Sequence, residues 1–445
     1  MVKRGLKFLS IFVASLLSLI TFIGCGDTPT PPETSNSIYA KKENVIMDKQ
    51  AYDGNEVKYP TKLWTESVSK RAVSNDYPLY DVRAFYIQSV DYKGEPSNFF
   101  AYYGIPETAS ETNPVPAVVL VHGGGGTAYA DWARFWVNRG YAALAIDTEG
   151  NIPTSPGAAT NGNTNKIPHT KNPGPSRSGT FLDSEKPYNE QWMYHAIASV
   201  ISSVTFLKNQ PEIDNTKIGC IGISWGSLIV SGTAIYDDRL AFVVPIYGSI
   251  GESGTLSREG AAMDLQPKAV ALWDDESALA GRKTPFLFVN SHQDHAFSVE
   301  VQDNCAKYVE NKQVCIIPNL AHDHKRPMSV NEIGIFVDNI CLNKELALPE
   351  ITVQPTATSG VVETKTHGTN VVSAELFYMT DDRIISPERP ITDTSAKNDW
   401  VIDEILPDEN GNFSFQIPAN ATYYFVSVID NQNNRSSTKL VKIGD

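Results

Sequence analysis

Ser224 stands between two glycines in Gly222-Ile223-Ser224-Trp225-Gly226. An apolar run, Lys217-Ile218-Gly219-Cys220-Ile221, precedes it and a second, Ser227 to Ala234, follows. This setting predicts a strand, a sharp turn and a helix, with the serine hydroxyl presented above the end of a sheet. The glycines are needed because a side chain at either would strike the neighbouring strand or helix. A serine held this way can attack a carbonyl carbon, provided a base takes its proton. The candidate base is His322 in Asn319-Leu320-Ala321-His322-Asp323-His324, just past the apolar run Val314 to Pro318. The candidate orienting acid is Asp294 in Ser291-His292-Gln293-Asp294-His295, just past Pro285 to Asn290. Asp294 would fix the tautomer of His322, and His322 would take the serine proton.

Within these loops other assignments stay open. His324 is an alternative base, further from its strand end. Asp303 and Asp323 are alternative acids, although Asp303 falls in a helical stretch and Asp323 abuts the base. His292, Asp294, His295, His322, Asp323 and His324 also form a set of nitrogen and oxygen donors that could hold zinc. Serine chemistry already accounts for two of them. The expectation is therefore a site with no metal and no organic cofactor, and the other histidines read as loop residues.

These side chains need elements to position them. Val118-Val119-Leu120-Val121 reads as a buried parallel strand that runs into His122-Gly123-Gly124-Gly125-Gly126. Asp81 to Tyr92, Phe99 to Ile105 and Ala142 to Asp147 read as further strands. A helix carrying Trp132, Phe135 and Trp136 and a long one from Tyr188 to Asn209 lie between strands, and Val299 to Asn311 reads as a third. Strands alternating with helices predict a mostly parallel, doubly wound sheet covered on both faces, an α/β fold. The segment from Glu149 to Glu190 breaks this rhythm. It is dense in Gly, Pro, Asn, Ser and Thr, and it should lie over the sheet edge that carries Ser224, as a wall of the substrate site.

Past Ala347 the pattern changes. Val372 to Met379, Trp400 to Leu406, Phe413 to Ile417, Tyr423 to Ile429 and Lys439 to Ile443 are short strand-like runs separated by turns such as Asn410-Gly411-Asn412. They predict a small C-terminal all-β sandwich over 348–445. No stacked aromatic pattern suggests glycan binding there, so packing against the preceding domain is its expected role.

At the other end, Lys3, Arg4 and Lys7 precede an apolar run from Phe8 to Ile23 that is short for a membrane span. Gly24-Cys25 follows. This resembles a bacterial lipoprotein signal, with Phe22 departing from the usual leucine. It implies removal of 1–24, lipidation of Cys25, a Pro/Thr/Ser-rich tether over 25–36, and a place at the bacterial cell surface or in the periplasm. The catalytic domain is then expected over 37–347. The chain has 445 residues, a hydrophobic content of 41% and a charged content of 20%, which suits two globular domains rather than a disordered chain. A net charge of −14 argues against nucleic acid as a partner. Cys220, Cys305, Cys315 and Cys341 have no metal or redox spacing. The last three could supply one disulfide or remain buried thiols.

From about Pro116 to Leu342 the chain resembles the α/β-hydrolase superfamily. Within it the match is to the secreted acetyl xylan esterase and dienelactone hydrolase-like group. The residues that carry it are His122-Gly123-Gly124-Gly125, Arg139-Gly140-Tyr141-Ala142 before a strand ending in Asp147, and Ile213-Asp214-Asn215-Thr216-Lys217-Ile218-Gly219 leading to Ser224. The order nucleophile, acid, base also fits. The resemblance implies an oxyanion hole formed by the Trp225 N–H with that of Gly124 or a neighbouring glycine. Dienelactone hydrolases proper use a cysteine where this chain has Ser224, which argues against that activity. The implied function is an exported serine ester hydrolase acting on a small ester or an acylated carbohydrate, and attached to a membrane by its lipid. A serine peptidase of the prolyl oligopeptidase kind is the alternative, but residues 37–121 leave no room for the large β-propeller usual there. A non-catalytic binding lipoprotein of the same fold is the second alternative.

Overall fold

The computed structural model describes residues 57–65, 70–72, 82–154, 166–169, 171–255, 257–294, 296–380 and 400–444. The expected export signal, Cys25 and the tether lie outside the described residues, as does His295.

The first strands are β1 (Lys70–Ala72), β2 (Arg83–Tyr92), β3 (Glu95–Gly104), β4 (Val115–Val121) and β5 (Ala142–Ile146). A short hairpin, β6 (Asn151–Pro153) with β7 (Lys166–Pro168), comes next. Then follow β8 (Ile213–Ile223), β9 (Val243–Ile246), β10 (Phe286–Asn290) and β11 (Lys312–Ile316). All but the hairpin join one nine-stranded sheet in the order β1-β2-β3-β5-β4-β8-β9-β10-β11. The sheet is antiparallel from β1 across to β5 and parallel from β5 to β11.

Every residue of β4 is buried, as are the last six of β8. That is the pattern of central parallel strands with a helical layer on each face. The helices include α1 (Ala130–Asn138), α2 (Trp192–Lys208) and α3 (Trp225–Tyr236). α2 is buried from Trp192 through Leu207, so it carries no broad polar face. Two of its serines avoid a desolvation cost by bonding inside the helix: Ser199 Oγ donates to His195 O at 2.8 Å and Ser203 Oγ to Ser199 O at 2.7 Å. The strap after β9 carries α4 (Arg258–Met263) and α5 (Pro267–Trp273), and α6 (Val299–Ala306) and α7 (Asn331–Leu342) complete the layer. α6 is shorter than the expected 299–311. Tyr308 and Val309 turn back onto Cys305 O and Ala306 O, which tightens the chain before β11 begins.

The C-terminal region is all β. β12 (Glu350–Val353), β13 (Val361–Lys365) and β16 (Phe413–Ser414) form one sheet. β14 (Val371–Met379), β15 (Val401–Ile405), β17 (Tyr423–Asp430), β18 (Arg435–Ser437) and β19 (Val441–Lys442) form the other. Val362 and Phe413 from the first sheet share a core with Leu376, Tyr424, Val426 and Val428 from the second, as in a sandwich. Strand β18 lies against β11, the edge of the large sheet: Ile316 N donates to Ser437 Oγ at 2.9 Å, and Cys315 Sγ points at Arg435 O, 3.3 Å away. Val299 and Ile316 join Phe377, Met379, Trp400, Tyr423 and Phe425 in a second apolar cluster at this seam. Cys220, Cys305, Cys315 and Cys341 are all free and buried, so among the described residues the disulfide option is not taken up.

Candidate active site

Ser224 sits between the end of β8 and the first turn of α3 with φ 56° and ψ −121°. Such a conformation costs a non-glycine residue about 1–3 kcal/mol and persists only when its surroundings enforce it. Here the Ser224 N–H donates to Ile246 O of β9 at 2.8 Å. The flanking glycines are dictated by close approach. A Cβ on Gly222 would lie 2.0 Å from Gly226 O, and one on Gly226 would lie 2.3 Å from Val121 O of β4.

His322 and Asp294 meet this serine. His322 Nε2 is 2.9 Å from Ser224 Oγ, and His322 Nδ1 is 2.6 Å from Asp294 Oδ2. The Asp294 side chain is fully buried, and its Oδ1 accepts from Ala296 N at 2.9 Å and Phe297 N at 3.0 Å. The carboxylate is thus fixed by its own loop and turns its other oxygen to the imidazole. Tyr247, directly after β9, stacks on the His322 ring with centroids 4.4 Å apart, and its hydroxyl donates to Ala321 O at 2.5 Å. Phe297 lies nearly parallel to the same ring at 5.9 Å. Tyr247 also holds a positive φ of 74°, so two strained residues stand at adjacent strand ends beside the base.

The glycine loop after β4 is pinned almost group by group. Gly123 N donates to His324 Nε2 at 2.9 Å, Gly125 N to Glu149 Oε1 and Oε2 at 3.1 and 3.2 Å, and Gly126 N to Gly123 O at 3.0 Å. Lys166 Nζ donates to Gly125 O at 2.7 Å and Gly126 O at 2.9 Å. His122 is buried beneath, with Nδ1 2.7 Å from Gly123 O and Nε2 accepting from Thr148 N at 3.0 Å. Among the described residues, no acceptor takes the N–H of Gly124 or that of Trp225. Gly124 faces the Trp225 ring closely enough that a Cβ there would lie 2.7 Å from Cδ1. Two donors without an acceptor among the described residues therefore stand next to Ser224.

The Glu149–Glu190 segment reaches this place. Arg177 lies over the Trp225 ring, 5.0 Å from its centroid, while its Nε donates to Glu149 Oε1 at 2.9 Å. Phe181 meets the same ring edge-on at 5.3 Å, and Trp192 and Phe297 complete an aromatic surround. The segment is not structureless, since β6, β7 and a 3₁₀ turn at Tyr188–Glu190 lie within it.

The alternative candidates go elsewhere. The His324 ring accepts from Gly123 instead of reaching Ser224; burial, then the nearby His122, presses its pKa down to about 4. Asp303 accepts from Leu440 N at the seam with the β-sandwich. Asp323 caps its own loop by accepting from Lys325 N and Arg326 N at 2.8 and 2.7 Å. His292 packs on Phe377 and Trp400, with centroids 5.2 and 6.4 Å away, and burial lowers its pKa to about 4. Among the described residues, no three His, Cys, Asp or Glu side chains converge as metal ligands. Glu149, Lys166, Arg177 and Tyr247 escaped sequence reasoning. Only Tyr247 left a signal, a short apolar run ending in a residue at a strand terminus.

A search of curated proteins returns no match. Among solved structures, the chain is similar to acetyl xylan esterase 1 from Thermoanaerobacterium sp. JW/SL YS485, with 12% identity, 68% of this chain and 93% of the other covered, and a TM-score of 0.47. It is similar to acetyl xylan esterase from Paenibacillus sp. R4, at 16% identity, 70% and 96% coverage and a TM-score of 0.47. A third is dienelactone hydrolase from Anabaena variabilis ATCC 29413, at 15% identity, 59% and 99% coverage and a TM-score of 0.37. Residues 99–323 match the dienelactone hydrolase family, a span that begins in β3 and takes in the glycine loop, Ser224, Asp294 and His322. The chain belongs to the dienelactone hydrolase family, as a hydrolase that acts on esters.

Proposed function

We propose that the protein is an exported serine esterase that removes acetyl or related acyl groups from carbohydrate, through a Ser224–His322–Asp294 triad. The observation that carries the triad is the unbroken hydrogen-bond chain from Ser224 Oγ through His322 to Asp294. In the first half-reaction His322 Nε2 takes the Ser224 proton as Oγ bonds to the ester carbonyl carbon. The carbonyl oxygen becomes an anion, which the Gly124 and Trp225 N–H groups receive. The tetrahedral adduct collapses when His322 returns the proton to the departing alcohol, and the acyl group stays on Ser224. Water then attacks with His322 as base, and the carboxylic acid leaves. Asp294 holds the imidazole in the tautomer with the proton on Nδ1 and stabilises it when it is charged.

Export rests on the positive start, the Phe8 to Ile23 apolar run and Cys25 as the lipidated residue. The carbohydrate substrate rests on that location and on the family's ester chemistry. Turnover of p-nitrophenyl acetate, acetylated xylan and a chromogenic peptide by wild type and Ser224→Ala tests the reading. Ester cleavage by wild type alone, with acetate released from xylan, is the expected result. Equal ester turnover by both proteins would refute the serine mechanism, and peptide cleavage without ester cleavage would favour a peptidase.

A further inference from the structure

The glycine loop needs one donor pointing at the developing anion while its other N–H groups are tied down. Three ties hold it. Glu149 and Lys166 hold the far end of the loop at Gly125 and Gly126. His122 and Gly126 hold Gly123 O. The third tie, His324 Nε2 to Gly123 N at 2.9 Å, comes from the loop that carries His322, two residues earlier. It fixes the His122–Gly123 peptide, the neighbour of the Gly123–Gly124 peptide that carries the Gly124 N–H. Gly123 is also where the loop passes closest to the nucleophile: an added Cβ would lie 2.9 Å from Ser224 Cβ and 2.8 Å from His324 Nε2.

We infer that His324 is a positioning residue, which aims the Gly124 N–H at the oxyanion by accepting the Gly123 N–H. This rests on the esterase reading above. Because His322 and His324 share one loop, the proton acceptor and the anion donor are set by one backbone. His324 is itself held: Trp132 Nε1 donates to its carbonyl at 2.9 Å, and the rings of Tyr129 and Trp132 lie 5.5 and 6.2 Å from the imidazole. Accepting from Gly123 requires an unprotonated Nε2, and so a neutral ring with its proton on Nδ1. The groups around it support that state. Burial presses the ring down to about 4, with His122 and His322 adding to the effect and the Gly123 backbone and Asp323 opposing it. The ring therefore stays an acceptor above about pH 4.

The test uses the whole chain with p-nitrophenyl acetate and four variants: His324→Gln, His324→Asn, His324→Phe and Ser224→Ala. Gln places an acceptor near the position of Nε2; Asn is too short, and Phe has none. His324→Phe and His324→Asn should lose on the order of 10- to 100-fold in kcat, less than the roughly 10²- to 10³-fold of removing an oxyanion donor outright, with KM changed by less than about 3-fold. His324→Gln should keep kcat within about 5-fold of wild type. Binding of a trifluoromethyl ketone, whose serine adduct carries the anion, should weaken in His324→Phe by a factor similar to the kcat loss. A merely structural role would not produce that match. If Gln falls as far as Phe, or Phe keeps full kcat, the positioning role is wrong while the esterase stands. If Ser224→Ala turns over like wild type, the esterase reading itself fails.

Discussion

Ser224 is held in a backbone conformation that serine would not choose, and the enforcement comes from three strands at once. Its own β8 leads in, β9 takes its N–H through Ile246 O, and β4 presses on Gly226. Strain of this kind at a site is consistent with function, because relaxation would swing the hydroxyl away from His322. In the proposed triad Asp294 acts on the imidazole and not on the substrate, so its removal has a recognisable signature. Asp294→Asn preserves shape but offers Nδ1 the wrong partner, and kcat should drop on the order of 10⁴-fold with little change in KM. A loss below about 10-fold in steady-state kinetics would show that Asp294 does not orient the base. The three residues proposed as a triad were legible as neighbours in the sequence because each stands just past an apolar run, where the topology forces strand ends together. Glu149, Lys166 and Arg177 were not legible. They lie in a polar segment full of similar residues, and only the folded path of the chain brings them to Gly125 and Trp225.

Among elements, the sheet strands were the most readable, since runs such as Val118 to Val121 are buried on both faces and tolerate nothing but apolar residues. β9 has only four residues, β12 has no buried residue, β13 has a single buried one, and β18 spans only three residues, so periodicity alone hid them. Packing of the β-sandwich on the catalytic domain was expected, but not which residues meet at the seam with α6 and β11, because Asp303 read only as an alternative acid in a helical stretch. It accepts from Leu440 N, and burial raises its carboxyl to about 8 from an ordinary value of 3.8. Between those pH values the unfolded chain is ionised there while the folded chain keeps its proton. Stability from this group is therefore full below about 3.8 and is lost progressively up to about 8. Asp303→Asn keeps an acceptor but cannot titrate. Its unfolding midpoint, measured against wild type, should rise from about pH 4 to about pH 8 and then run level. A constant offset across that range would show that Asp303 is not buried as a neutral acid. His292 ties the same seam to the acid loop, two residues from Asp294, so the sandwich and the triad share a wall.

For the molecule as a whole, the β-sandwich covers the exposed edge of the large sheet at β11, a place where an open strand would invite pairing with other chains. The net charge of −14 disfavours polyanions as partners without naming a substrate. All of this depends on Ser224 carrying the acyl group. The most direct measurement is intact-protein and peptide mass spectrometry after rapid acid quench of enzyme mixed with p-nitrophenyl acetate, for wild type, His322→Ala and Ser224→Ala. One acetyl group on Ser224 in the wild type, with none on that peptide in Ser224→Ala and little in His322→Ala, is the expected result. Ester turnover with acetyl found on another residue, or with Ser224→Ala as active as wild type, would contradict it.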